Sequence, residues 1–311
     1  MTIPSPSELI AQHSVSAPLA ELTDRIARLT ASREGLHHTA LPPLQFMRID
    51  APTACVPAVY EPRLCLVVQG SKTATLGEFH YRYDPLHYLV VSMTLPMIGQ
   101  VIEASPDKPY LCLRLDINPE DITQLLLDRA ENDSDDKGSA CAAYAARVST
   151  PLLDAVLRLM RLLDTPEDLP VLAPMAIREI FYRVLQGDLG GHLRALAIND
   201  GQHQRIVQAV ALLRRHYLEP LRVEALARAV HMSVSALHHS FKAATAMSPL
   251  QYQKQLRLHE ARRLMLFDGL EAAVAAHRVG YESPSQFSRE YKRLFGAPPR
   301  TEVAQVRPAT R

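Results

Sequence analysis

Residues 223–249, VEALARAVHMSVSALHHSFKAATAMSP, and residues 271–299, EAAVAAHRVGYESPSQFSREYKRLFGAPP, are two copies of one pattern. Ala227 aligns with Ala276, Val230 with Val279, Ser233 with Ser283, Ser235 with Ser285, Leu237 with Phe287, Phe241 with Tyr291, Lys242 with Lys292 and Pro249 with Pro299. One extra residue, Glu282, lengthens the second turn. Self-similarity of this kind marks a supersecondary unit used twice. Each copy has the parts of a helix-turn-helix. A small residue, Ala227 or Ala276, sits where a crossing helix must approach, and a tight turn follows, with Gly280 free to take positive φ in the second copy. Ser233 and Ser283 stand where a helix cap is needed, and Pro284 fits a first helical position. Leu237/Phe241 and Phe287/Tyr291, spaced i, i+4, give each second helix one apolar face. The opposite faces carry Ser235, Ala236, His238, His239 and Lys242, and Ser285, Gln286, Ser288, Arg289, Lys292 and Arg293. Such donors suit base edges and phosphates in a major groove.

Between the copies, SPLQYQKQLRLHEARRLML (248–266) reads as one helix, with Tyr252, Leu256, Leu264 and Leu266 as apolar markers and no Gly or Pro after Pro249. Its length is roughly 25–30 Å, enough to hold two readers about one DNA turn apart. Charge supports the same reading. Residues 201–311 hold 17 Lys+Arg against 8 Asp+Glu, whereas residues 1–200 hold 17 against 25. A net charge of +1 thus hides a basic third that expects a polyanion and an acidic remainder with other partners. A single helix-turn-helix is also a common packing motif. Two copies, a rigid spacer and local positive charge together point to DNA.

The rest of the chain bounds what else it does. At 311 residues and 47% hydrophobic, it has room for two packed domains. No run of 18 apolar residues predicts a membrane span, and the first twenty residues do not read as a secretion signal. Cys55, Cys65, Cys112 and Cys141 are scattered with no CxxC pair, which fits thiols in a reducing cytoplasm.

The segment from LRVEALARAV to QLRLHEARRLM, followed by VGYESPSQFSREYKRLFGAPP, resembles the DNA-binding domain of AraC/XylS-type regulators. That resemblance implies base contacts by Ser235, His238 and His239 from the first unit and by Ser285, Gln286 and Arg289 from the second, with Lys242 and Lys292 on phosphates. Three positions depart from the family pattern: His231 replaces a turn glycine, His239 an arginine, and Ala246 a glycine ending the first recognition helix.

From Arg63 to Ile117, short runs rich in Val, Ile, Leu and Tyr (LCLVVQG, KTATLG, FHYRYD, HYLVVSM, IGQVIEA, PYLCLRLD) alternate with Gly, Asp-Pro and Pro-Asp turns. They predict a small antiparallel barrel or sandwich. YEPRLCLVVQGSKTATLG and YLVVSMTLP resemble the cupin-like N-terminal barrel that senses a small molecule in a branch of the same family. The fold class expected is therefore α+β: a cupin-like antiparallel β-barrel with accessory helices over 1–195, then an all-α double helix-turn-helix over 196–311. Tyr60, Arg63, Tyr83, Tyr88, Met93 and Arg114 are candidate effector-binding residues, though for any one of them strand packing of the tyrosines or solvation of the arginines is the commoner use. Cys65 and Cys112 alternate with apolar strand residues, which suits redox sensors or, far more commonly, buried inert thiols, and no basic cluster beside them is visible in sequence to activate a thiol. His80 and His87 lack the HxH-plus-Glu pattern of a metal cupin, and His37-His38 sits in a pre-barrel segment without partners, so neither a metal nor another cofactor is expected. No nucleophilic triad or phosphate loop is present, so no catalytic residues are expected.

Asn118-Pro119-Glu120-Asp121 reads as a helix start, 131–138 as an acidic loop, and Pro151 onward and Val171–Gln186 as helices. Leu153, Leu157 and Leu162 widen the first of these faces, which is either buried in its own domain or paired with a second chain, alternatives that periodicity alone does not separate. Residues 188–201, with three glycines, read as a linker. The expected partners are double-stranded DNA in two adjacent major grooves, an unidentified small-molecule effector, a second copy of the chain and RNA polymerase, with no membrane. The reading is a cytoplasmic, ligand-responsive transcription regulator. A cupin-type enzyme with a helical tail, or an architectural DNA-binding protein without an effector, is the alternative.

Overall fold

The computed structural model describes residues 6–118, 121–122, 124–125, 141–187 and 201–306. The expected helix start at Asn118–Asp121, the acidic loop and the linker with its boundary at 195/196 fall wholly or mainly outside these residues.

Helix α1 (Pro6–Leu29) precedes ten antiparallel strands. These are β1 (Gly35–His38), β2 (Leu44–Ile49), β3 (Val56–Tyr60), β4 (Arg63–Gln69), β5 (Ser71–Leu76), β6 (Phe79–Tyr83), β7 (His87–Val91), β8 (Leu95–Glu103), β9 (Tyr110–Asp116) and β10 (Ala143–Arg147). They form a six-stranded sheet, order β1-β2-β9-β4-β7-β10, and a four-stranded sheet, order β3-β8-β5-β6. Of the expected barrel or sandwich, the strands make a two-sheet arrangement, with no closed barrel among the described residues. The six runs read from sequence all become strands. β1, β2, β3 and β10 are additions, and His37-His38 lies on β1, not in a pre-barrel segment.

Alternation of side chains along a strand divides the large sheet into two unlike faces. On one, Leu64 pairs with Leu115 and Leu66 with Leu113, while Phe46 also meets Leu113. This apolar face belongs to the same core as Leu22 and Ile26 of α1 and Leu152, Val156 and Leu159 of α2 (Thr150–Arg161). The other face turns toward the small sheet and carries Arg63, Cys65, Val67, Tyr110, Cys112 and Arg114.

Ser149 caps α2 by accepting from the Leu152 amide, with Pro151 in the first turn. Leu153 and Leu157 are buried in this core, so the extra leucines are used within the chain, except that Leu162 is only partly buried. Helix α3 (Leu169–Gln186) instead leaves Val171 and Met175 exposed, at 68% and 65%.

The remaining helices are α4 (Gln202–Arg215), α5 (Val223–Ala229), α6 (Val234–Thr245), α7 (Pro249–Leu266), α8 (Ala272–Arg278), α9 (Pro284–Phe295) and α10 (Pro299–Val306). The core of the sandwich runs without a break into α4–α6 and reaches Tyr252 on α7. A separate core of Leu258, Ala261, Leu264, Met265, Ala275, Ala276, Val279, Tyr281, Phe287 and Tyr291 holds the second unit. The first unit is fastened to the sandwich by directed bonds as well. Tyr252 Oη donates to the Thr94 carbonyl at 2.8 Å, and Arg214 donates to Thr94 Oγ1 at 2.7 Å and to Glu61 Oε1 at 2.9 Å. The Ala142 amide donates to the Ala244 carbonyl at 3.0 Å. Gly77 lies so close that a Cβ there would meet the Ala246 Cβ at 2.6 Å.

Candidate nucleic-acid interface

The two turns are built alike. The Met232 amide donates to the Ala227 carbonyl at 2.9 Å, and the Tyr281 amide donates to the Ala276 carbonyl at 3.0 Å. Between them, His231 donates to Arg228 at 3.1 Å and Gly280 to His277 at 3.0 Å. The residue at the bend takes positive φ in both copies, 53° at His231 and 84° at Gly280. Histidine therefore adopts the left-handed conformation glycine adopts freely, at a cost of about 1 kcal/mol. Glycine is replaced again at the first unit's helix end, where Ala246 has φ 58° against Gly296 at φ 83°. The alanine is kept at the point where Gly77 of the sandwich presses on it.

Ser233 accepts from the Ala236 amide at 3.2 Å, and Ser283 accepts from the Gln286 amide at 3.3 Å, so both second helices carry the expected cap. Leu237, Phe241, Phe287 and Tyr291 are buried. That orients α6 and α9 so that Ser235, His238, His239 and Lys242 are exposed on one and Ser285, Gln286, Arg289 and Lys292 on the other. The spacer α7 starts with a capping box between Ser248 and Gln251. Its 18 residues span about 27 Å.

Two side chains outside the repeated pattern, Glu290 and Arg257, shape this surface. Gln286 Nε2 donates to Glu290 Oε1 at 3.1 Å, and Glu290 also receives Lys254 Nζ and Tyr281 Oη, each at 2.7 Å. Burial pushes the Glu290 carboxyl up, but Lys254, Tyr281 and Gln286 outweigh it and hold it below its usual range. The i, i+4 spacing of Gln286 and Glu290 is the one trace of this contact in sequence. Arg257 on α7 donates to the carbonyls of Tyr217 at 2.6 Å, of Gly280 at 3.0 Å, and of Leu218 and Glu219 at 3.0 Å each. It ties the second unit's turn to the segment that precedes the first unit. A Cβ at Gly280 would lie 2.9 Å from the Leu218 carbonyl oxygen and 3.2 Å from the Arg257 guanidinium, so glycine is needed for this approach as well as for its φ.

His259, behind the second unit, packs edge-on to Phe295 with ring centroids 5.4 Å apart, and its buried Nε2 has no hydrogen-bond partner. Burial, with Arg262 adding to it, pulls the imidazole down from 6.5 to about 4. Between those values the unfolded chain binds the extra proton. The contribution of neutral His259 is therefore complete above pH 6.5 and is lost as pH falls toward 4, a loss of about 3 kcal/mol. Urea unfolding of the full-length protein at pH 7.5 and 5 should show the second unit weakening at the lower pH. His259→Leu should reduce that difference, and an unchanged difference would place the acid sensitivity elsewhere.

The effector candidates do not all converge. Arg63 and Arg114 share the inter-sheet face, and Tyr83, paired with Lys72, faces them from the small sheet. Tyr60 reaches Lys72, whose Nζ lies 5.4 Å from its ring centroid. Tyr88 pairs with Leu66, so it belongs to the helix-covered face, and a Cβ on Gly187 would lie 3.6 Å from its hydroxyl. Met93 is buried between β7 and β8. No basic cluster beside the thiols is visible in sequence, but the fold brings Lys72 and Arg63 to Cys65. Cys65 is drawn below its ordinary value by the Cys112 hydrogen bond first, then by Lys72 and Arg63, against desolvation. Among the described residues, no group of three or more His, Cys, Asp or Glu side chains could hold a metal ion, and no helix is long and apolar enough to cross a membrane.

Comparison with known proteins covers both parts. The family described as AraC-type transcriptional regulator N-terminus matches residues 40–192, and the family described as Helix-turn-helix domain matches residues 226–304. The HTH-type transcriptional activator RhaS of Salmonella schwarzengrund is 29% identical over 166 residues, 52% of this chain and 58% of its own length. The chain thus aligns with little more than half the length of that relative. In fold, the chain is similar to ToxT from Vibrio cholerae strain SCE256 in a structure with unsaturated fatty acid bound. The TM-score is 0.55 at 11% identity, covering 84% of this chain and 93% of that one. A ToxT structure from Vibrio cholerae O395 bound to a substituted butenoic acid gives 0.54 at 9% identity, covering 88% and 100%. With the duplicated turn and the sandwich before it, these matches show that the chain belongs to the AraC-type transcriptional regulators.

Proposed function

We propose that the chain regulates transcription in the cytoplasm by reading two adjacent major grooves of specific DNA, under control of a small molecule bound by the sandwich. The division is the one read from sequence, an effector-binding part over 1–195 and a DNA-reading part over 196–311. One observation carries the DNA reading: two capped recognition helices with exposed polar faces stand behind turns built on the same hydrogen bonds, held by one continuous helix. Ser235, His238, His239, Ser285, Gln286 and Arg289 face base edges, and Lys242 and Lys292 face phosphates. RNA polymerase and a second copy of the chain are further partners of such a regulator.

The test is selection of bound fragments from the source genome by full-length protein at near-physiological salt. Enrichment of sites with two motifs about one helical turn apart supports the reading. Retention without sequence preference would leave an architectural role, and no retention at low salt would end the proposal. Arg289→Ala should cost about 1–3 kcal/mol at the selected site and relax preference at one position, while Lys292→Ala should weaken all sequences alike and lower the salt slope. Equal loss on every sequence with Arg289→Ala would make Arg289 a phosphate contact.

A further inference from the structure

The second recognition helix holds one of its reading side chains in a fixed orientation. Gln286 is exposed and is the third residue of α9, within the N-terminal turn that a helix-turn-helix sets against base edges. A glutamine amide ends in two groups of opposite character, a carbonyl that accepts and an NH2 that donates. Rotation about its last bond lets either one face a ligand. Glu290, four residues on, removes that choice. An ionised carboxylate only accepts, so the group Gln286 turns toward it is the NH2, with Nε2 3.1 Å from Glu290 Oε1. Among the described residues no donor engages the Gln286 carbonyl, which is left for the groove.

Glu290 is itself held from two other elements. Lys254 Nζ on α7 lies 2.7 Å from the same Oε1, and Tyr281 Oη in the turn donates to Oε2 at 2.7 Å. The Tyr281 ring is fixed in turn by the core, edge-on to Phe287 with centroids 5.3 Å apart. Spacer, turn and recognition helix thus converge on one carboxylate, and their donors keep it ionised against its partial burial. Both of its oxygens are engaged and its side chain is only 25% exposed, so Glu290 supports a reader and does not read. The first unit has no counterpart. Alignment of the copies sets Ala236 against Gln286 and Ser240 against Glu290, and neither can reproduce an amide braced by a carboxylate.

In the major groove adenine and cytosine present amine hydrogens, at N6 and N4, whereas guanine presents the acceptors N7 and O6, and thymine an acceptor O4 beside its methyl group. A carbonyl turned outward matches the first two and sets acceptor against acceptor with the others. Adenine gains further, because its N7 can take the second hydrogen of the amide. We infer that Glu290 is a positioning residue for sequence reading: by engaging the Gln286 nitrogen it presents the carbonyl to the groove. The second unit then selects adenine, and less strongly cytosine, over guanine and thymine at one position of its motif. This deepens the DNA reading proposed above and rests on it for the placing of Gln286 against the duplex.

The test is selection from a randomised DNA library by the full-length protein and its variants, followed by binding titrations on the four versions of one base pair. Failure of the unaltered protein to select any motif would count against DNA reading itself, before a variant is made. Given a motif, Gln286→Ala locates the position that Gln286 reads. There the unaltered protein should prefer adenine or cytosine to guanine or thymine by about tenfold or more. Glu290→Ala should reduce that preference to about threefold or less, leaving the position read by Arg289 unchanged, which a merely structural role would not do. Glu290→Gln, which still offers an acceptor, should keep most of the preference. Circular dichroism checks folding, and Glu290→Met, which keeps the stem without an acceptor, is the second variant should the alanine fail to fold. Preference for guanine or thymine at the Gln286 position would overturn the inference. So would an unchanged preference in Glu290→Ala and Glu290→Met, an equal loss in Glu290→Gln, or a loss of preference at every position together.

Discussion

Arg257→Ala is expected to weaken binding to a two-motif DNA site by about a hundredfold while changing single-motif binding far less. The reasoning starts from what the guanidinium does. Its donors reach four backbone carbonyls on two separate segments, at 2.6–3.0 Å. The stretch before α5 and the turn before α9 are thus joined across one side chain. Avidity depends on the second reader arriving already oriented, so loss of orientation lowers effective concentration without removing any DNA contact. Water can satisfy part of the freed carbonyl surface, which limits the stability cost to about 2–3 kcal/mol. Gel-shift titrations on paired and isolated motifs read the effect directly. Arg257→Lys, which keeps charge but cannot bridge both segments, should resemble the alanine variant on paired motifs. If both variants lose single-motif binding just as severely, the residue supports folding of a unit and not the geometry between units.

Much of the reading surface was legible in the sequence because its constraints are local. A serine at a helix start, a glycine at a bend and an i, i+4 aromatic pair each state their own backbone requirement, and the two copies check each other. His231 is the instructive case: alignment with Gly280 predicts positive φ at a histidine, and the bend is there at 53°. Arg257 was not legible, because its acceptors are carbonyls and any residue type supplies those. β10 (AYAAR) was missed for a related reason. Its alanines carry no strand preference, and it becomes a strand by pairing with β7 from Ala143↔Val91 to Arg147↔His87.

The inter-sheet cluster shows the same limit at longer range. Arg63, Cys65 and Arg114 can be read as alternating residues, but that Lys72 of the other sheet completes the group depends on how two sheets stack. No basic cluster beside the thiols is visible in sequence, because Cys65 feels Lys72 and Arg63 from positions that only the fold brings near. The clasp of Thr94, Glu61, Arg214 and Tyr252 is equally silent in sequence. It makes the first reading unit continuous with the sandwich core, so a change between the sheets has a packed route to one reader and not equally to both.

Glu302→Ala should destabilise the second reading unit by about 3–5 kcal/mol while leaving the first folded. Glu302 is 6% exposed, on the last helix, where its Oε1 accepts from Arg262 Nε at 2.9 Å and Nη2 at 2.7 Å. Its Oε2 accepts from Tyr291 Oη at 2.8 Å, so one carboxylate joins α7, α9 and α10. Removing it leaves the Arg262 charge, over the Phe295 ring at 5.2 Å, with no acid to balance it, and leaves the Tyr291 hydroxyl in a core without its acceptor. The magnitude sits at the lower end of the range because one fifth of the Arg262 side chain remains exposed, at 20%. Since the two cores are separate, thermal unfolding followed by circular dichroism should split into two transitions, the earlier one belonging to α8–α10. Base preference should vanish at the motif read by Arg289 and persist at the other. The double variant Arg262→Met, Glu302→Met should recover much of the loss, because replacing both members of a buried pair by apolar groups removes the unbalanced charge. A single shifted transition, with both motifs lost together, would mean that the second core is not an independent unit and that the continuity seen from the sandwich to Tyr252 extends energetically through all of α7.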